Sequence, residues 1–362
     1  MAFVITLTAA AGAGTVGGKA ASLGELARAG VAVPPGFAVT VEAFTAAMAA
    51  VDADGTLRAG IEALPAGDVA RVARAAAPFR AIVAEAPLPR EVAAAIEAGY
   101  RALGRAGDAA PAVAVRSSAT VEDSAEASFA GLQDTYLGVS GAAAVLGYVR
   151  RCWASMYNDE SIAYRRRLGL PEAQVAMAVV VQRMVAPRAA GVMFTRSPVT
   201  GDRSVVAIEG TWGLGSALVA GDVTPDSWII SKVTGEITAR RVSPKAKVHR
   251  YDPGATGRVT VSDTPRELRE APCLTDEEIR ALAAVGRRVE GHYGAPQDIE
   301  WAVLDTPFAP AAGDSPAQDA ESRVVLLQSR PETVWAARDA RPAGAPRPRA
   351  ADHVLALFGK PR

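Results

Sequence analysis

One stretch limits the possible folds more than any other: Val175-Ala176-Met177-Ala178-Val179-Val180-Val181-Gln182-Arg183-Met184 is nearly all apolar and rich in valine. A run this short, dominated by a β-branched residue, reads as a strand buried on both faces of its sheet. The chain can supply that cover, because 49% of its 362 residues are hydrophobic. That length exceeds one ordinary domain and suits two lobes.

The flanking sequence says what forms the cover. Residues 3–7 read as a first strand, followed by a Gly-rich turn and a helix from about Lys19 to Ala29, with Gly30 placed to end it. Val33-Pro34-Pro35-Gly36 is a rigid turn into a second strand, and a helix follows near Val41–Ala50. Residues 52–110 carry helical periodicity with Pro and Gly breaks. A strand at Ala112–Val115 leads into a polar loop from Arg116 to Gly131, and helices resume over 141–168. From Gly191 the pattern changes to short strands and turns, then a helix at Asp276–His292 and two closing strands, Gln297–Leu304 and Arg323–Ser329. The expected organisation is an α+β chain with one lobe over 1–187, a second over 188–335, and a Pro/Arg-rich linker or tail over 336–362.

Four clusters carry candidate chemistry. Gly17-Gly18-Lys19 brings backbone N–H groups and an ammonium to a helix start, a setting suited to phosphate oxygens. It is not a Walker A loop, since Ala13 stands five before Gly18 and Ala20 replaces the magnesium-holding Ser/Thr. Arg116-Ser117-Ser118 offers a guanidinium and two hydroxyls, and the small residues around Gly131, with Thr135 close behind, suit a loop lying over a polyphosphate. Gln182 and Met184 end the apolar strand where the lobes meet, a setting for a nucleotide base. In the closing strands, period-2 alternation puts Asp298 and Glu300 on one face and Ile299, Trp301 and Val303 on the other. Leu326, Gln328 and Arg330 share a face by the same rule. Paired as an antiparallel hairpin, the strands bring Glu300 beside Gln328, two hard oxygen ligands for Mg²⁺, with Arg330 nearby to neutralise phosphoryl charge.

Other classes find no support. Lys and Arg number 39 against 39 Asp and Glu, so nothing favours nucleic acid or an anionic membrane. Cys152 and Cys273 lack the spacing of a disulfide or zinc framework, and His249, His292 and His353 are scattered. No apolar run is long enough for a membrane helix. The expected setting is the cytoplasm. Gly213-Leu214-Gly215 starts like a dinucleotide fingerprint, but Leu218 stands where its third glycine belongs.

Taken in order, these motifs resemble the nucleotide-binding region of phosphoenolpyruvate synthases and pyruvate phosphate dikinases. The resemblance rests on Gly17-Gly18-Lys19-Ala20-Ala21-Ser22-Leu23-Gly24-Glu25-Leu26, Val33-Pro34-Pro35-Gly36-Phe37, Val115-Arg116-Ser117-Ser118, Ser128-Phe129-Ala130-Gly131 and Gly191-Val192-Met193-Phe194-Thr195. It continues through Val223-Thr224-Pro225-Asp226, Pro296-Gln297-Asp298-Ile299-Glu300-Trp301 and Leu327-Gln328-Ser329-Arg330-Pro331. It implies an ATP-grasp fold, two lobes closing on ATP, with Mg²⁺ as cofactor. By matching position, Lys19 and Arg116 would hold phosphates and act in catalysis, and Gly131 and Thr135 would belong to the covering loop. Gln182 and Met184 would line the adenine side, Glu300 and Gln328 would ligate Mg²⁺, and Arg330 would act on the terminal phosphates.

Two departures stand out. Ser216 replaces a glutamate that usually follows Gly-Leu-Gly, and no histidine here has the context of the family's phosphate acceptor. The expected function is therefore an ATP-cleaving subunit that phosphorylates a histidine on a partner, organised like phenylphosphate synthase. The alternatives are a non-catalytic nucleotide-binding regulator and the ATP-binding part of a rifampicin phosphotransferase-like kinase.

Overall fold

A computed structural model describes residues 2–64, 69–104, 110–119, 123–124, 127–128, 135–167, 169–172, 175–252, 259–309, 319–333 and 335. The expectations for Phe129, Gly131 and the 336–362 tail lie outside these residues.

The chain opens with β1 (Val4–Thr6) and α1 (Ala13–Arg28), then β2 (Gly36–Val39), α2 (Val41–Val51), α3 (Thr56–Glu62), α4 (Val69–Glu85) and α5 (Arg90–Ala102). Next come β3 (Val113–Ala119), the two-residue strands β4 (Asp123–Ser124) and β5 (Ala127–Ser128), β6 (Thr135–Val139), α6 (Ala142–Ser155), α7 (Asp159–Arg167) and β7 (Met177–Arg183). Five of these strands form a sheet in the order β1-β2-β7-β3-β6. The valine-rich run is β7, at the centre of that sheet. Val179 and Val181 pack with Phe37, Phe44, Ile96 and Trp153 on the helical face, whereas Val180 joins α1 on the other. Two-sided burial is what its composition required.

The second half supplies β8 (Ala189–Phe194), β9 (Val205–Trp212), α8 (Ser216–Val219), β10 (Asp226–Ser231), β11 (Ile237–Arg241), β12 (Lys247–Tyr251), β13 (Val259–Asp263), α9 (Arg266–Arg269), α10 (Asp276–Tyr293), β14 (Gln297–Val303) and β15 (Val324–Pro331). A six-stranded sheet runs β11-β10-β9-β8-β14-β15. Thr275 and Glu278 close a capping box at the start of α10, which sets Ile279, Leu282 and Val289 against this sheet.

Helix α1 joins the two sheets. Its Val16, Ala20, Leu23 and Leu26 belong to the same core as Met193, Ile208, Trp228 and Trp301 of the second sheet. The helix ends as its glycine suggested: Gly30 N–H bonds Ala27 O, Val31 N–H bonds Leu26 O, and Val31 and Leu26 are both buried. The start differs from expectation. Helical structure begins at Ala13, and the expected turn survives only as a break at Gly17, whose φ is 75° and ψ 163°.

Two further expectations are corrected. Arg116, Ser117 and Ser118 do not open a loop, because β3 continues to Ala119 and pairs along β7. On β15, a bulge between the Glu300↔Gln328 and Trp301↔Leu326 pairs turns Leu326 into the core, so it does not share the face of Gln328 and Arg330. A fully buried leucine beside Trp301 favours that one-residue shift over strict alternation.

Candidate nucleotide site

The seam between the sheets gathers most of the candidate residues. Gly17 makes this possible. An added Cβ would lie 2.0 Å from Ser118 O, so α1 can cross β3 only with a bare backbone here. Ser118 Oγ donates to Val16 O at 3.1 Å and accepts from Ala20 N–H at 3.3 Å, bracketing the break. That corrects the reading of Ser118 as a free phosphate-facing hydroxyl: it pins the turn. The break delivers Lys19, whose Nζ donates to Ser117 O at 3.0 Å.

Arg116 crosses the seam. Its Nη1 donates to Leu327 O at 2.9 Å and its Nη2 to Glu300 Oε2 at 2.5 Å, while Nε is buried without a hydrogen bond. Thr135, exposed at the start of β6, pairs directly with Arg116 in the sheet. On the opposite wall Glu300 faces Gln328, as the alternation anticipated, and Asp298 faces Arg330. Arg330 Nε lies 3.5 Å from Asp298 Oδ2.

The electrostatics of the two carboxyls differ. Burial would raise Glu300, but Arg116, then Lys19 and Arg330, outweigh it and hold the carboxyl below its usual range. Burial pushes Asp298 up to about 6 against the pull of Arg330, with Glu332 adding to the rise. Asp298 Oδ1 is buried with no hydrogen-bond partner. The motif reading had placed Asp298 on this face without giving it a role; its position two residues before Glu300 was the available signal.

Gln182 and Met184 sit further along the same face of the first sheet. Gln182 pairs with Ala114, is 2% exposed, and donates through Nε2 to Pro34 O at 3.1 Å. Met184 N–H bonds Ala112 O, and the side chain is half-buried. Beside them Ala32, Val185, Ala190, Ala302, Val325 and Leu327 make a small apolar cluster. The cluster begins two residues along β14 from Glu300, about 7 Å at the rise of a strand. A cationic cradle therefore adjoins an apolar slot, a pairing suited to a phosphorylated heterocycle.

The residues present also suit a divalent cation. Glu300, Gln328 and the unpartnered Asp298 Oδ1 are hard oxygens on one face. Among the described residues no three His, Cys, Asp or Glu gather as a cage. None of the described helices is long and apolar enough to cross a membrane.

Comparison with known proteins places the chain in a family. The model of the pyruvate phosphate dikinase AMP/ATP-binding domain matches residues 13–350. A rifampicin phosphotransferase of Streptomyces sp is 47% identical over 83% of this chain and 34% of its own length. A probable phosphoenolpyruvate synthase of Methanothermobacter thermautotrophicus is 43% identical, covering 88% of this chain and 44% of its own. The phosphoenolpyruvate synthase of Aeropyrum pernix is 40% identical, with 88% and 41% covered. This chain thus spans less than half the length of each of these relatives.

Proposed function

We propose, since the chain belongs to the pyruvate phosphate dikinase AMP/ATP-binding domain family, that it binds MgATP in the seam between its two sheets and cleaves it as part of a phosphotransferase. The observation that carries this is the Arg116–Glu300 contact, which joins the two halves at the point where Lys19, Gln328, Arg330 and Asp298 converge.

In this reading the residues 1–187 and 188–335 act as two lobes that close on ATP. Lys19 and Arg116 hold phosphate oxygens, with Thr135 next to Arg116 at the start of β6 rather than in a covering loop. Gln182 and Met184 border the base. Glu300 and Gln328, with Asp298, would hold Mg²⁺, which would supply charge neutralisation for the polyphosphate. Arg116 leaves Glu300 and turns to phosphate when the nucleotide enters, freeing the carboxylate for the cation. Arg330 acts on charge that develops during transfer, an effect that exceeds its value as a ground-state contact.

Phosphoryl transfer needs a nucleophile delivered in line. Of the two histidines among the described residues, His249 is 7% exposed and bonded through both ring nitrogens, and His292 pairs with Glu25 on the surface. In this reading the acceptor is a histidine on a partner subunit, which takes the β-phosphoryl group and leaves AMP and orthophosphate. The protein works in the cytoplasm. A second reading, favoured by the 47% identity to the Streptomyces rifampicin phosphotransferase, sends the phosphoryl group onward to an antibiotic hydroxyl instead of pyruvate or a phenol.

The test uses ATP labelled separately at the β and γ positions, with and without the product of the adjacent gene. Acid-labile β-label on the partner, present only when both proteins are mixed, is the expected result. Rapid self-labelling of this chain, or ADP as sole product, refutes the reading. Adding rifampicin or pyruvate to the complete mixture distinguishes the final acceptors.

A further inference from the structure

The free edge of β15 is where the first half of the chain takes hold of the second. β15 ends its sheet, so part of its backbone must find partners from elsewhere. Three of its groups find them in the first half. Leu326 N–H bonds Ala32 O at 2.9 Å, Leu327 O accepts from Arg116 Nη1 at 2.9 Å, and Ser329 O accepts from Ser22 Oγ at 2.8 Å. A carbonyl oxygen can only accept, so the direction of the last bond is fixed: the serine donates. Tyr293 OH, at the end of α10, lies 3.2 Å from the same Oγ and 3.4 Å from Ser22 O.

Ser22 owes its place to α1. Beyond the Gly17 break, Lys19 and Ser22 stand three residues apart in the helix and so share a face. Leu23 and Leu26, 1% and 0% exposed, already dock the helix on the second sheet. Ser22 is half-buried, so its bond adds little to that docking. What it adds is register. Apolar burial has no direction, whereas a hydrogen bond selects one carbonyl along the strand. That carbonyl belongs to the residue between Gln328 and Arg330. Ser329 is also held by its side chain: Oγ donates to Gln297 Oε1 at 3.0 Å, and the residue is 3% exposed. By alternation Gln328 and Arg330 take the opposite face, so fixing Ser329 fixes the base of both.

The edge contacts differ in what a ligand would do to them. Arg116 also pairs with Glu300, and an anion in the seam competes for its guanidinium. The neutral hydroxyl of Ser22 is committed to Ser329 O and feels no such pull. When Arg116 turns to phosphate, Ser22 still joins α1 to β15. Lys19, near enough to Glu300 to help lower its carboxyl, then keeps its offset from Gln328 and Arg330 through one helical turn and one hydrogen bond.

We propose that Ser22 is a positioning residue of the nucleotide site: through Ser329 O it holds Gln328 and Arg330 at a fixed offset from Lys19, with Tyr293 supporting its hydroxyl. This rests on the MgATP site proposed above. The test is calorimetry of ATP binding to the full chain at saturating and at limiting Mg²⁺, with thermal unfolding midpoints measured alongside. Ser22→Ala weakens Mg²⁺-dependent ATP binding by about three- to tenfold, the worth of one net hydrogen bond, and raises the Mg²⁺ needed for half-saturation. Ser22→Thr keeps the hydroxyl and restores most of the loss. Tyr293→Phe leaves the Ser329 bond in place and loses measurably, but less than Ser22→Ala. The control is Thr275→Ala, which removes the cap at the far end of α10: it lowers the midpoint and leaves ATP affinity and the Mg²⁺ requirement as in the native chain. Native affinity in Ser22→Ala, or an equal loss in Thr275→Ala, overturns the proposal and leaves the MgATP site standing. Should Ser22→Ala fail to fold, Tyr293→Phe carries the same comparison, and native affinity there overturns it. Failure of the native chain to bind MgATP removes the site and the proposal together.

Discussion

Two ion pairs, one within the second half of the chain and one across the seam, use the same chemistry to opposite ends. Asp226 and Lys245 are sealed: both side chains are 0% exposed, Oδ1 takes Lys245 Nζ at 2.6 Å and the N–H of Ser243, and Oδ2 takes the N–H of Cys273. Arg116 and Glu300 are open, at 13% and 37% exposure, and Arg116 keeps a buried Nε without a partner. The sealed pair has its polar atoms satisfied locally and ties β10 to the segments before β12 and α10. The open pair spans residues far apart in sequence and leaves capacity on both partners. A saturated pair serves the fold, whereas an unsaturated one at a seam is available to a ligand.

The strongest way to break this comparison is at the open end. Arg330→Ala is expected to reduce turnover with the histidine partner by roughly 10³–10⁵, while ATP affinity changes by about tenfold or less. Calorimetry and single-turnover assays report the two separately, and equal losses would make Arg330 a binding residue. At the sealed end, Asp226→Ala strands a buried ammonium and should cost about 3–5 kcal/mol of stability. Glu300→Gln should cost about 1 kcal/mol or less by the same denaturant titration, since its pair is partly exposed, yet lose Mg²⁺-dependent ATP binding. Matching stability losses would erase the distinction.

Gly17→Ala tests what brings Lys19 to the open pair. A side chain at φ 75° against Ser118 O should cost roughly 1–3 kcal/mol and weaken ATP binding more than Ala13→Gly does. The smallest expected effect is a pH dependence. Asp298, raised to about 6, holds its proton longer folded than unfolded, so it withdraws stability as pH rises through the interval from the usual carboxylate value to about 6. Glu300, lowered, has the opposite sign and loses its contribution as pH falls through its depressed range. Asp298→Asn should therefore flatten the decline across that interval in thermal melts of the free protein, and an unchanged profile would contradict the assignment.

Much of the site was legible because it rests on strand periodicity. The Glu300↔Gln328 and Asp298↔Arg330 pairings follow from alternation once the two strands are set antiparallel. The same rule failed two residues away, where a bulge placed Leu326 in the core, because burial beside Trp301 outweighs regular register. Ser118 misled for a related reason. A polar residue near a strand end looks free in sequence, but its hydroxyl serves the Gly17 break on a helix about a hundred residues earlier. Ser22 gave no signal of its partners, since Tyr293 and Ser329 follow it by 271 and 307 residues.

What the sequence determined by itself were properties carried by neighbouring residues: the two-faced burial of 175–184, the Gly30 helix end, the polar face of the closing hairpin and the ordered motifs of the family. Backbone geometry repeats every two or 3.6 residues, so such features need no knowledge of the rest of the chain. The tertiary structure alone decided that α1 would be shared by both sheets, that Arg116 would reach Glu300, and that Ser22 would meet Ser329. Those contacts depend on which apolar faces bury each other, and that choice belongs to the packed core as a whole.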